Sequence, residues 1–254
     1  MEVTEHALGT FCWTELETSD AAGAKQFYRS LFGWEYQDNP MGEEMVYTMV
    51  QLRGKNLGAL YQDSKPGVPP HWTSYVRVPS ADESASQAKT LGGTVIAEPF
   101  DVMEHGRMAV LQDPTGAVFC VWQQRQHHGA QIVGEPGAFC WHELMTKDLQ
   151  AAKTFYTGLF MWSTKKNDSV DYYTEFQAGG KSFAGMMAIT PEMGDVPPNW
   201  LPYLMVDDCD ATVAKAQQLG GAAHVPGKDI PGVGRIAVLA DPQGAAFAII
   251  AVAM

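Results

Sequence analysis

Cysteine is scarce, and no CxxC pair occurs among the 254 residues. The four cysteines, Cys12, Cys120, Cys140 and Cys209, suggest neither a zinc knuckle nor a disulfide framework. No stretch approaches the roughly 18 apolar residues of a membrane-spanning helix, so no membrane partner is expected. The opening Met-Glu-Val-Thr-Glu-His lacks the basic and apolar regions of a secretory signal, and a cytoplasmic location is the expectation. Basic clusters are missing as well. Lys and Arg number 17 against 29 Asp and Glu, a formal net charge of −12, which argues against nucleic acid and anionic lipid as partners. The acidic excess reads as a solubilising surface.

What is present is said twice. Gly9-Thr-Phe-Cys-Trp-Thr-Glu-Leu16 returns as Gly137-Ala-Phe-Cys-Trp-His-Glu-Leu144, 128 residues later. The same shift maps Trp72 onto Trp200, Leu91-Gly-Gly93 onto Leu219-Gly-Gly221, Gly106-Arg107 onto Gly234-Arg235, and Asp113-Pro114 onto Asp241-Pro242. A repeat this long is a duplicated domain rather than a solenoid unit of about 20–50 residues. The expected division is 1–124, a polar linker 125–136, and 137–254.

Each copy divides again. Phe11–Thr18 reads as a strand, and Asp20 as the N-cap of a helix running to about Leu31. Ala24, Phe27, Tyr28 and Leu31 fall on one face at helical spacing, and Gly33 ends it. Asp148, Ala152, Phe155, Tyr156 and Leu159 repeat the pattern. Strands follow at Met45–Leu52 and Leu57–Gln62, matched by Tyr172–Gln177 and Phe183–Ile189. In the second half, Trp72–Val78 is a strand, and Ser80 or Asp82 opens a helix closing at Leu91-Gly-Gly93. Strands at Thr94–Ala97, Arg107–Gln112 and Ala117–Trp122 complete it, with a turn at Asp113-Pro-Thr-Gly116 between the last two. Pro-rich Lys65–Pro70 and Pro197–Pro198 join the halves. The fold class is α+β, with a strand–helix–strand–strand–strand unit used four times.

A βαβββ unit duplicated within each domain resembles the vicinal oxygen chelate superfamily, which includes glyoxalase I, bleomycin-resistance proteins and extradiol dioxygenases. Thr18-Ser-Asp20, Phe27-Tyr28, Leu31-Phe-Gly-Trp34, Leu91-Gly-Gly93, Asp113-Pro-Thr-Gly116 and their second copies carry the resemblance across nearly the whole chain. It is closest in kind to tandem two-domain glyoxalase-like proteins often labelled hydroxylases. The resemblance implies cup-shaped mixed sheets, each cup holding a divalent ion (Fe, Zn, Ni or Mn) on His or Gln, His and Glu ligands. Counting from the family's spacing, the first ligand position falls on Trp13 and Trp141, and the last on Cys120 and Ala248. The middle one falls on Thr73 and Leu201, or one residue earlier on Trp72 and Trp200. Indole nitrogen only donates, so no cofactor is expected and the metal-bound form is the alternative. His71, His105 and His142 are the counter-candidates, but they align with Asn199, Val233 and Thr14 and are not shared between copies.

Strand alternation places Phe11, Trp13 and Glu15 in one cup, and Phe139, Trp141 and Glu143 in the other. A carboxylate in such a cup suits a general acid or base, making Glu15 and Glu143 the candidate catalytic residues. Arg107 and Arg235 are alternative ion-pair partners for them. Trp13, Trp72, Cys120, Trp141, Trp200, Tyr47, Tyr173, Arg107 and Arg235 complete the candidate binding set. Three readings follow: a metal-free enzyme on a small aromatic or carbonyl-bearing molecule, a sequestering binder, or a metal-dependent glyoxalase or dioxygenase. The partner in each is a small-molecule ligand, and the chain is expected as a monomer or homodimer.

Overall fold

The βαβββ unit occurs four times, paired into two eight-stranded mixed sheets. The computed structural model describes residues 1–42, 45–63, 67–167, 170 and 172–253. Part of the Lys65–Pro70 connection lies outside them. The first copy runs β1 (Phe11–Thr18), α1 (Ala21–Phe32), β2 (Glu35–Pro40), β3 (Val46–Leu52), β4 (Lys55–Gln62), β5 (His71–Arg77), α2 (Ala81–Thr90), β6 (Thr94–Val102), β7 (Gly106–Gln112) and β8 (Val118–Gln124). The second runs β9 (Phe139–Thr146), α3 (Leu149–Phe160), β10 (Ser163–Lys166), β11 (Thr174–Ala178), β12 (Lys181–Ala188), β13 (Asn199–Met205), α4 (Cys209–Gln218), β14 (Ala222–Ile230), β15 (Gly234–Ala240) and β16 (Ala246–Val252).

Strand orders are β2-β3-β4-β1-β5-β8-β7-β6 and β10-β11-β12-β9-β13-β16-β15-β14. In each sheet the two half-units meet at an antiparallel centre, β1 on β5 and β9 on β13. Two strands escaped the sequence reading. β2 and β10 are mostly exposed, so they carry no apolar alternation to read. The helix signals are where the chemistry puts them. Asp20 accepts from the Gly23 N–H at 3.0 Å, and Gly33 closes α1 with φ +75°. At α2 the cap is Ser80, which accepts from Glu83 N–H. Asp82 instead sits in the first turn.

The copies bury each other. Phe27, Tyr28, Leu31, Trp34 and Trp72 of the first share one core with Leu204, Leu239, Phe247 and Ile249 of the second. Reciprocally, Phe119, Val121 and Val76 pack with Phe155, Tyr156, Trp162 and Trp200. Tyr28 donates to Asp241 Oδ2 and Tyr156 to Asp113 Oδ2, both at 3.0 Å. Trp34 Nε1 donates to Gly137 O at 2.7 Å and Trp162 Nε1 to Gly9 O at 2.6 Å. These paired bonds relate the copies by an approximate two-fold, as in an isologous dimer made from one chain. The opposite face of each sheet is left to form its cup.

Candidate functional site

A kink in the first strand decides what faces each cup. The β1–β5 register shifts between Phe11 and Trp13, and the β9–β13 register shifts at the equivalent place. A bulge adds one residue and reverses the alternation beyond it. Trp13 and Glu15 face cup one, as expected from their spacing. Phe11 does not: it packs between the copies against His142, Trp162 and Trp200. Cys12 turns into the cup in its place. Phe139 likewise leaves cup two for the core around Trp34 and Trp72.

At the base of cup one, Glu15 is buried among donors. Oε1 accepts from the Tyr47 hydroxyl and from Trp13 Nε1 at 3.0 Å. Oε2 accepts from Tyr75 Oη at 2.6 Å. Cys120, on the neighbouring β8, stands beside Tyr75. Burial raises the Glu15 carboxyl above its ordinary range, against the lowering effect of Tyr47, Tyr75 and Trp13. Cup two repeats the constellation with a difference. Glu143 Oε1 accepts from Tyr203 Oη at 2.9 Å, and the Tyr173 hydroxyl stands near enough to act on the carboxylate. The Trp141 indole donates to Tyr173 Oη at 2.9 Å. Burial raises Glu143 too, opposed by Tyr203 and Tyr173. The Tyr173 ring lies flat on β12: a Cβ on Gly185 would come within 2.1 Å of its hydroxyl, so glycine is what admits the ring.

Four more of the expected cup residues lie elsewhere. Trp72 pairs opposite Leu16, and Trp200 opposite Leu144. Directly opposed residues share a face, so both indoles point into the cores between copies. There Trp72 Nε1 donates to Tyr28 Oη at 3.1 Å and Trp200 Nε1 to Tyr156 Oη at 2.7 Å. Thr73 and Leu201, opposite Glu15 and Glu143, are the cup residues. Arg107 and Arg235 alternate with the cup-facing residues of β7 and β15. Arg107 forks onto Asp82 at 2.7 and 2.9 Å and reaches Asp101 at 3.0 Å. Arg235 binds Asp210 and Asp229 at 3.0 Å. Neither arginine pairs with Glu15 or Glu143, whose partners are phenols and, for Glu15, the Trp13 indole as well. Tyr75 and Tyr203 went unnoticed in the sequence, although the 128-residue shift relates them.

The residues present do not fit the divalent ion of the superfamily. The would-be ligand positions hold Trp13, Thr73 and Cys120 in cup one, and Trp141, Leu201 and Ala248 in cup two. Burial pushes the Cys120 thiol well up, away from the thiolate a metal needs. Among the described residues no group of three or more His, Cys, Asp and Glu is placed to hold a metal. His71 rests on Pro69 O, His105 is exposed, and His142 is buried between the copies. Also among the described residues, no helix is long and apolar enough to cross a membrane.

Comparison with known proteins identifies the domain. The glyoxalase-like domain matches twice, over residues 13–122 and 141–250. A putative glyoxylase, CFP32 of Mycobacterium tuberculosis, is 40% identical over 97% of this chain and 96% of its own length. The anthracycline biosynthesis protein DnrV of Streptomyces peucetius is 35% identical over 98% of this chain and 95% of its own. Among solved structures, the 2,3-dioxygenase LapB from Pseudomonas sp. KL28 aligns with a TM-score of 0.66 at 9% identity, covering 96% of this chain and 93% of that one. A Mn(II)-bound glyoxalase from Novosphingobium aromaticivorans gives 0.66 at 14%, covering 95% and 81%. At such identities these two speak to the fold alone. The chain therefore belongs to the glyoxalase-like domain family of the vicinal oxygen chelate superfamily and carries that domain twice.

Proposed function

We propose that this chain acts without a metal on a small aromatic or carbonyl-bearing molecule, with a cup glutamate as its acid/base. The observation that carries this is the Glu–Tyr–Tyr–Trp constellation, built in both copies where relatives of the superfamily place a metal. A desolvated carboxyl with a raised pKa is suited to moving a proton near neutral pH. For an enolisable ketone, the Glu143 carboxylate takes the proton from the carbon next to the carbonyl. The electron pair moves onto the carbonyl oxygen, and a tyrosine hydroxyl, released from the carboxylate as that group takes up the proton, can meet it as donor. Returning the proton to carbon restores the carboxylate and the ketone. Glu15 holds the equivalent place in cup one. The Trp rings supply a flat apolar wall for an aromatic body. A relative of 35% identity is named for anthracycline biosynthesis, and anthracyclines are planar, carbonyl-bearing aromatics, which supports that class of ligand.

The test uses 2-tetralone in D2O, with α-proton exchange followed by proton NMR on metal-analysed protein. Native protein is expected to accelerate exchange at least tenfold over buffer, unaffected by EDTA. Glu143→Gln is expected to lower it towards the buffer rate while 2-tetralone still binds. Exchange unchanged in both Glu143→Gln and Glu15→Gln, or dependent on a stoichiometric divalent ion, overturns the proposal.

A further inference from the structure

We infer that the two cups are unequal: cup two is the ligand site, taking an uncharged planar aromatic, while the interdomain linker seals cup one with His127 as the plug. The inference rests on the reading that a cup binds small molecules, and it names which cup and which ligand charge.

The indole and thiol of the first strand differ in access between the copies, while Glu15 and Glu143 are both buried. Trp13 is only 5% exposed and Cys12 2%, whereas Trp141 and Cys140 are half-buried. The linker makes the difference. The bulge at Cys12 releases its carbonyl from the sheet ladder, and the Ala130 N–H takes it at 2.8 Å. Gly129, with φ +96°, crosses so closely that a Cβ there would lie 2.5 Å from Cys12 O. This brings the His127 ring edge-on to Trp13, centroids 4.5 Å apart, with Trp122 at 5.8 Å. His127 is held at its carbonyl and at its ring. Trp122 Nε1 donates to His127 O at 3.0 Å, and Gly129 N–H donates to His127 Nδ1 at 3.1 Å. His6 Nε2 bonds Ala130 O at 2.8 Å and pins the segment from outside. A cavity of about 390 Å³ lies beside the linker, and His127 lines it together with Lys55, Asn56 and Gln131. Neither Glu15 nor Tyr75 borders that cavity. His127 thus lies against the cavity on one hand and Trp13 on the other.

Charge sets the ligand class. Around Glu143 the acting groups are the Tyr203 and Tyr173 hydroxyls and the surrounding apolar packing, with Trp141, Met145, Leu201 and Val238 among its neighbours. Arg235 is held away by Asp210 and Asp229. An anionic ligand would surrender its water beside a carboxyl that, among the described residues, has no counter-charge, which is costly. A neutral ring with hydroxyl or carbonyl groups finds phenols to bond and an indole to stack on.

The experiment titrates the full chain with 1,4-dihydroxyanthraquinone, which is neutral, and with anthraquinone-2-sulfonate, by calorimetry. One molecule of the neutral compound per chain is expected, with the sulfonate at least tenfold weaker. Trp141→Ala is expected to weaken binding at least tenfold. Trp141→Phe, which keeps an aromatic ring in place, is expected to weaken it about threefold at an unchanged melting temperature. His127→Ala is expected to open a second site, which the added Trp13→Ala removes. Two sites in the native chain, binding kept in both Trp141 variants, equal affinity for the sulfonate, or no second site in His127→Ala overturns the inference while leaving ligand binding by a cup intact. No binding of either compound overturns both the inference and the reading beneath it.

Discussion

Thr14 and His142 hold equivalent positions in the two copies and meet each other: Thr14 Oγ1 lies 3.3 Å from His142 Nε2. Each sits on the central strand of its own sheet, turned away from the cup, and they meet because the approximate two-fold passes between them. Phe11 stacks on the His142 ring with centroids 4.0 Å apart. One position at which the copies differ in sequence is thus a point where they touch.

His142 carries a pH dependence. Full burial lowers its pKa from 6.5 to about 3, so the ring is neutral in the folded protein. A depressed folded pKa confers stability that is complete above about 6.5 and is lost as pH falls towards 3. His142→Phe keeps the stack on Phe11 and removes the titration. At pH 7 the variant is expected to lose about 1 kcal/mol from the unpaired Thr14 hydroxyl. Between pH 7 and 4, urea unfolding is expected to show native protein losing stability faster than the variant. Parallel pH profiles would contradict the assignment.

The two tyrosine–aspartate bonds between copies are expected to be worth similar amounts. Tyr28→Phe strands Asp241 Oδ2 and the Trp72 N–H in a buried site, and Tyr156→Phe does the same to Asp113 and Trp200. Each single change is expected to cost about 1–3 kcal/mol in urea unfolding. As separate sites with no shared partner, they are expected to add in the double variant.

Met161 stands where the first copy has Gly33, and it adopts the same left-handed turn, φ 58° against 75°. Its side chain is 87% exposed, so little packing offsets the strain. Met161→Gly is expected to raise stability by about 1 kcal/mol, read as a higher melting temperature. The reverse change, Gly33→Met, is expected to lower it by a comparable amount.

The helices and most strands were legible because their signals are local. Asp20 and Asp148 cap, Gly33 stops, and Phe27-Tyr28 marks a buried face. The duplication also made the Trp–Glu pair visible. What stayed hidden is non-local. Nothing in Phe11-Cys-Trp13 announces a bulge, so simple alternation puts Phe11 in the cup where Cys12 stands instead. The choice between Trp72 and Thr73 as the cup residue depends on strand register, which one residue of slip inverts. Asp113 and Asp241 read as turn residues. They are, through Oδ1, but Oδ2 reaches a tyrosine in the other copy, and sequence spacing carries no sign of that. Arg107 pairs with Asp82 of α2 rather than with Glu15, because β7 turns it to the helix face.

The proposed acid/base role requires Glu15 and Glu143 to be desolvated carboxyls poised to exchange a proton. Carbon-13 NMR of protein labelled at the glutamate carboxyl carbon, titrated from pH 3 to 9, reads this directly. Two resonances are expected to titrate above the ordinary value of 4.5, one vanishing in Glu15→Gln and the other in Glu143→Gln. If every glutamate titrates in the ordinary range, the cups hold no such acid/base and the proposal falls.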